Sequence, residues 1–312
     1  MATQPLSKFI IDLTKISPRR GLNENIAAEL IKDYLSKENI QFITQEFKAR
    51  IPEFSKAELF ADGEGIPCIG SSFVSGKIDN NSKILNAFGA KSEVSMIVFN
   101  PASLGICLQA YKDITTLSVN RDSIAKLVMA NEIKGEVIVQ EKEFTSQNII
   151  VGNITNPKRI VFAHYDSIIG SGAIDNASSV ETIYQTIVSN KSLLETNLFV
   201  FAGCEEESIS SPIGCFGFDV FDKEYLNIMN SCQEILVLDG VGVSTPTFVN
   251  DQIDWVFAVS RVEEIKNKIF WMQNDQSLVM KYYHSELDTL DKLDQEYINQ
   301  AKELLETRLN SN

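Results

Sequence analysis

The chain has 312 residues, a formal net charge of −14, 44% hydrophobic residues and five cysteines. That length allows one large domain or a catalytic domain with a smaller companion. The acidic balance opposes phosphate-neutralising contact with nucleic acid or anionic membrane, and no apolar run approaches the roughly 18 residues that a membrane span needs. The opening residues, MATQPLSKFIIDLTKIS, lack a basic region followed by a long apolar run, so no secretory signal is expected. Cys68, Cys107, Cys204, Cys215 and Cys232 are scattered and form no C-x-x-C pair, so neither a zinc ribbon nor a redox dithiol is suggested. Free thiols in a reducing compartment, the cytoplasm, are the plain expectation.

In chain order, Leu6, Phe9, Ile10 and Leu13 recur at helical spacing and predict a first short helix, broken by Pro18 and Gly21. A second helix is expected from about Glu24 to Lys37, with Ile26, Ala27, Leu30, Ile31, Tyr34 and Leu35 on one side, followed by an extended strand over Gln41–Phe47. Between residues 51 and 140 short β-prone pieces such as EVSMIVFN and GEVIVQ alternate with turn-rich segments, and one amphipathic stretch covers Arg121–Ala130. This texture predicts an inserted, mostly β companion domain over 51–140, with the catalytic domain assembled from 1–50 and 141–312.

After the insert, apolar runs at Asn148–Val151, Ile160–Ala163, Leu198–Ala202 and Ile235–Leu238 alternate with helical patterns, notably Ala177–Val188. Such runs imply parallel central strands covered on both faces. The expected fold class is therefore α/β, a mixed and largely parallel central sheet flanked by helices. A final long helix is expected from about Asp291, with Leu293, Tyr297, Ile298, Ala301, Leu304, Leu305 and Leu309 as its buried stripe.

Three of the apolar runs end in the same chemistry. Ile160–Ala163 leads into His164 and Asp166, Leu198–Ala202 into Glu205, Glu206 and Glu207, and Ile235–Leu238 into Asp239. A Gly-rich turn then delivers Asp175 ahead of a helix, and the second of only two histidines, His284, lies in KYYHSELDT. Taken singly, each residue has a plainer reading: Asp175 and Asp239 as turn or helix caps, and the glutamates as a solvated helix start. Taken together, parallel strands would bring them to one sheet edge, where ligands bind in open α/β sheets. Carboxylates gathered there repel one another unless cations intervene. A mixed nitrogen and oxygen set suits zinc, cobalt or manganese better than calcium or magnesium.

HYDS at 164–167, GAIDNASS at 172–179, the glutamates after FAGC, LDG at 238–240 and YHSELDT at 283–289 together resemble the M28 family of co-catalytic zinc aminopeptidases. The resemblance covers about half of the chain, from Asn148 onward, and Asn23–Lys48 is similar to the family's N-terminal helix and strand. It implies a zinc-exopeptidase-like fold and two Zn2+ per chain, with Co2+ or Mn2+ as substitutes. It implies Asp175 as the bridging ligand, His164 and Asp239 on one metal, and Glu206 and His284 on the other. Glu205 would be the general base and Asp166 the residue that orients His164. A cis peptide bond between Asp175 and Asn176 is implied as well.

There are departures from the pattern. EEESISSPIGCFGF places extra residues between the glutamates and the next glycine turn, so the functional pair is Glu205/Glu206 or Glu206/Glu207. Ser179 stands where the family has glycine, and no Ser-Asp-His element precedes His284. The activity implied is removal of N-terminal residues from short peptides. The alternatives are a single-zinc, glutaminyl cyclase-like aminoacyltransferase, a relative that also presents HYDS, or a peptidase-like binding protein that has lost its chemistry.

Overall fold

The computed structural model describes residues 5–211 and 214–311. The chain divides into two compact units: one comprises residues 1–49, 144–279 and 288–312, the other residues 50–143 and 280–287.

The first unit is built on a central sheet in which Thr247–Val249, Ile269–Gln273, Glu234–Leu238, Arg159–His164 and Asn197–Ala202 lie side by side in that order, followed by the strands Ile133–Gly152 and Ile43–Ala61. The middle strands are parallel. Ile160 pairs with Leu198 on one side and with Ile235 on the other, and Ile235 pairs with Ile269. Their near-continuous apolar sequence reflects burial on both faces. Val161, Ala163, Phe199, Phe201, Leu236 and Leu238 point into a core closed by the helices Lys8–Thr14, Leu22–Lys37, Ser178–Ser189 and Gln295–Asn310. Ile160, Phe162, Leu198, Val200, Ile235 and Val237 point the other way, onto the helix Phe216–Glu224 and its neighbours.

Two expectations are corrected. Asn148–Val151 is not a parallel strand: it ends the 20-residue strand Ile133–Gly152 and runs antiparallel to Asn197–Ala202, with Ile150 opposite Val200. No helix separates it from GEVIVQ, so the two apolar pieces form one strand, and the polar residues between them hid the continuity. The strand expected over Gln41–Phe47 likewise continues to Ala61. Ile269–Gln273 is a further strand that the sequence pattern does not announce, because its five residues follow a charged, turn-like segment. The two long strands pass the unit boundary at Ala49–Arg50 and Glu143–Phe144.

The second unit has its own core, in which Leu59, Ile78, Ile97, Leu117, Val119 and Val137 are buried together. Within it Cys68–Gly70 pairs antiparallel with Thr116–Val119, while Thr116–Val119, Met96–Phe99 and Lys83–Asn86 run parallel. The amphipathic stretch forms the short helix Ile124–Met129. All five cysteines are free. Among the described residues, no helix is long and apolar enough to cross a membrane.

Candidate metal centre

Register places the site. His164 is the last residue of its strand and pairs with Ala202, the last of the neighbouring parallel strand, while Asp239 directly follows Leu238 on the other side. The carboxyl ends of three adjacent strands therefore deliver His164, the Gly203–Glu206 turn and Asp239 to the same edge. The imidazole is 2% exposed, and its Nε2 lies 3.2 Å from Asp175 Oδ1, 3.9 Å from Asp239 Oδ2 and 4.0 Å from Glu205 Oε2. His164, Asp175 and Asp239 each offer a ligand atom within 4.8 Å of the others, and Asp175 and Glu206 do the same.

Asp166 sits behind this group. Its Oδ1 is 3.4 Å from His164 Nδ1, and its Oδ2 accepts the backbone N–H groups of Glu205 and Glu206, each at 3.0 Å. One carboxylate thus ties the turn after the first strand to the turn after its neighbour.

Asp175 is held through its backbone. The Asp288 carboxylate accepts the N–H of Ile174 at 2.7 Å and that of Asp175 at 3.0 Å. The Asp175–Asn176 bond is cis, and the Asn176 amide donates to Leu238 O at 2.8 Å. Gly172, at φ 52°, permits the turn, since a Cβ there would come within 2.5 Å of Asp175 O and of Ser167 Cβ. The buried Arg19 guanidinium donates Nη2–H to Gly172 O at 2.9 Å, and its other nitrogens donate to the carbonyls of Tyr165 and Ser171. Arg19 and Asp288 are supporting residues beyond those the sequence motifs assign. Asp288 was visible inside YHSELDT, whereas Arg19 is a distant SPRR residue with no local signal.

The three consecutive glutamates separate. Glu205 Oε1 accepts from the Cys215 thiol at 2.7 Å. Glu207 is 4% exposed and pairs with Arg20. His284 belongs to the second unit, where its Nδ1 lies 2.9 Å from Leu108 O and its ring stacks on Tyr283 at 3.7 Å. A carbonyl can only accept, so in this contact Nδ1–H is the donor.

The electrostatics follow from burial. Burial pushes the Glu205 carboxyl up to about 7; His164 pulls against it, while Glu206 and Asp166 add to it. Burial and then Asp175 raise Glu206 well above the ordinary carboxyl range. Burial opposes charging of His164, yet the carboxylates of Glu205, Asp166 and Asp175 outweigh it and raise the imidazole well above its usual value. Buried His164 Nδ1 and Asp166 Oδ1 have no hydrogen-bond partner within ideal geometry. A low-dielectric cluster of carboxylates around one imidazole is costly by itself, and a divalent cation offsets it. The mixed N and O donors fit zinc.

Residues 149–267 match the sequence model of peptidase family M28. Among solved structures, the fold is similar to that of an M28 peptidase precursor from Shewanella amazonensis, at 14% identity over 97% of this chain and 92% of that one, with a TM-score of 0.69. It is similar to a zinc aminopeptidase from Bacillus subtilis, at 18% identity over 96% and 92%, TM-score 0.67. A glutaminyl cyclase from Tannerella forsythia is also similar, at 13% identity over 97% of both chains, TM-score 0.52. At these identities the likeness is one of fold. A comparison with curated protein sequences gives no match. The family match takes in HYDS, GAIDNASS, the glutamates and LDG and ends before YHSELDT, and it supports a metallopeptidase.

Proposed function

We propose that this chain is a cytoplasmic, metal-dependent aminopeptidase that removes N-terminal residues from short peptides. The observation that carries the reading is the convergence of His164, Asp175, Asp239 and Glu206, with Glu205 beside them, at the carboxyl edge of three adjacent strands within the M28-matching segment.

His164 and Asp239 would hold one zinc ion, Glu206 and His284 the other, and Asp175 would bridge them. His284 enters on the strength of the YHSELDT motif. When bound, the two ions supply Lewis acidity and make hydroxide available near neutral pH. Glu205 takes the proton of the attacking water and passes it to the departing amine. Asp166 lies behind the His164 ring, 3.4 Å from Nδ1, and fixes the backbone that carries Glu205 and Glu206. The pairing of Glu207 with Arg20 supports Glu205/Glu206 as the functional pair.

The second reading, a single-zinc glutaminyl cyclase, is favoured by the shared fold with the Tannerella forsythia enzyme. Metal analysis separates the two. Protein exchanged into zinc-containing, chelator-free buffer should approach two equivalents per chain and turn over aminoacyl-arylamides. One equivalent with full activity, or cyclisation of Gln-peptides, would overturn the aminopeptidase reading.

A further inference from the structure

We propose that Cys215 is a positioning residue for the reaction: its thiol donates a hydrogen bond to Glu205 and holds the general base in place. The inference rests on the assignment of Glu205 above.

Cys215 directly precedes the helix Phe216–Glu224 and is 5% exposed. Its backbone lies in the left-handed region, at φ 41° and ψ 46°, where glycine is the unstrained choice. The turn therefore asks for no side chain, yet the side chain it carries reaches a carboxylate. Sγ lies 2.7 Å from Glu205 Oε1, and the Ala258 N–H donates to the same sulfur at 3.3 Å. The amide occupies the sulfur as acceptor, so the thiol proton is directed to Glu205, which when ionised can only accept. Burial and the Glu205 charge raise the thiol's pKa well above its ordinary value, so it acts as a neutral donor and not as a nucleophile.

The division of labour on Glu205 gives this contact its consequence. Oε1 is held by the thiol, and Oε2 is the oxygen that faces His164 Nε2, at 4.0 Å. Among the described residues, Cys215 is the side chain that donates to this carboxylate. Asp166 fixes the Glu205 backbone but not its carboxylate. The helix behind Cys215 gives the thiol a rigid seat, with Asp219 N–H donating to Cys215 O at 3.1 Å. Without the thiol, the carboxylate would be free to rotate out of line with the proton it must take. Misplaced general bases lose turnover more than affinity.

The experiment compares zinc-loaded wild type, Cys215→Gly, Cys215→Ser, Glu205→Gln and the Cys215→Gly/Glu205→Gln double variant on one aminoacyl-arylamide, with zinc content and Tm recorded for each. Cys215→Gly suits the backbone and removes the donor; it should lower kcat by about tenfold, with KM within about twofold and zinc content unchanged. Cys215→Ser keeps a donor and should recover kcat to within about threefold of wild type. In the Glu205→Gln background, Cys215→Gly should cause no further loss, because the two residues act as one unit. Full kcat in Cys215→Gly, no recovery in Cys215→Ser, or an equal loss in the Glu205→Gln background would overturn the positioning role. Full kcat in Glu205→Gln would instead overturn the general-base assignment on which it rests.

Discussion

The Glu207 carboxylate is bonded to the Arg20 guanidinium, its Oε2 2.7 Å from Nε and 2.5 Å from Nη2. This ion pair separates the third of three consecutive glutamates from the first two, which face His164 and Asp175. Glu206→Gln should therefore lose one of two zinc equivalents. Glu207→Gln should keep both and lower stability by about 1–3 kcal/mol, because it leaves a charged donor without its partner. Metal analysis and urea unfolding of the two variants check this. The reverse pattern, with the metal lost from Glu207→Gln, would move the functional pair one residue along.

The Asp288 carboxylate spans two successive backbone N–H groups, one of them that of Asp175. An amide offers only one acceptor oxygen, so Asp288→Asn sets a donor against a donor. The variant should lose about 1–3 kcal/mol of stability and bind zinc about 10–100-fold more weakly. Thermal unfolding of the metal-free protein and zinc titration against a chelator are the measurements. Unchanged zinc affinity would show that Asp175 is held without it.

Much of this geometry was legible because the chain announces it locally. The apolar runs ending at Ala163, Ala202 and Leu238 are buried parallel strands, and their first polar residues meet because adjacent parallel strands end at one edge. What local pattern cannot show is what lies behind that edge. Arg19 and Arg20 come from the N-terminal segment and reach the turns at Gly172 and Glu207 through long-range packing. The thiol of Cys215 reaches Glu205 across a turn whose course no periodicity sets. The strand Ile133–Gly152 was hidden for a different reason. Its exposed middle, around Gln140–Glu143, reads as a loop when solvation replaces alternation.

A pH effect away from the site tests the burial argument. Glu181 is fully buried in the helix Ser178–Ser189, and burial pushes its carboxyl from 4.5 up to about 7. Between those values the folded chain keeps a proton that the unfolded chain has released. Its contribution to stability is therefore present below pH 4.5, falls as the pH rises, and is lost above about 7. Glu181→Gln keeps an acceptor for Gln185 and removes the titration. Relative to wild type it should be more stable by about 1–3 kcal/mol at pH 8, with the difference shrinking toward pH 5. Urea unfolding at both pH values decides; an equal difference at both would contradict the sign worked out here.

The most direct test of an aminopeptidase uses a single tetrapeptide in free, N-acetylated and C-amidated forms, incubated with the zinc-loaded enzyme and followed by mass spectrometry. The His164, Asp175, Glu205 and Asp239 cluster is acidic. Two arginines of the N-terminal segment are engaged beside it: Arg19 with three backbone carbonyls, Arg20 with Glu207. Neither guanidinium is open to a substrate's C-terminal carboxylate. The free and amidated peptides should lose residues stepwise from the N-terminus, and acetylation should abolish cleavage. Rapid cleavage of the acetylated peptide, or release of the C-terminal residue first, would contradict the assignment.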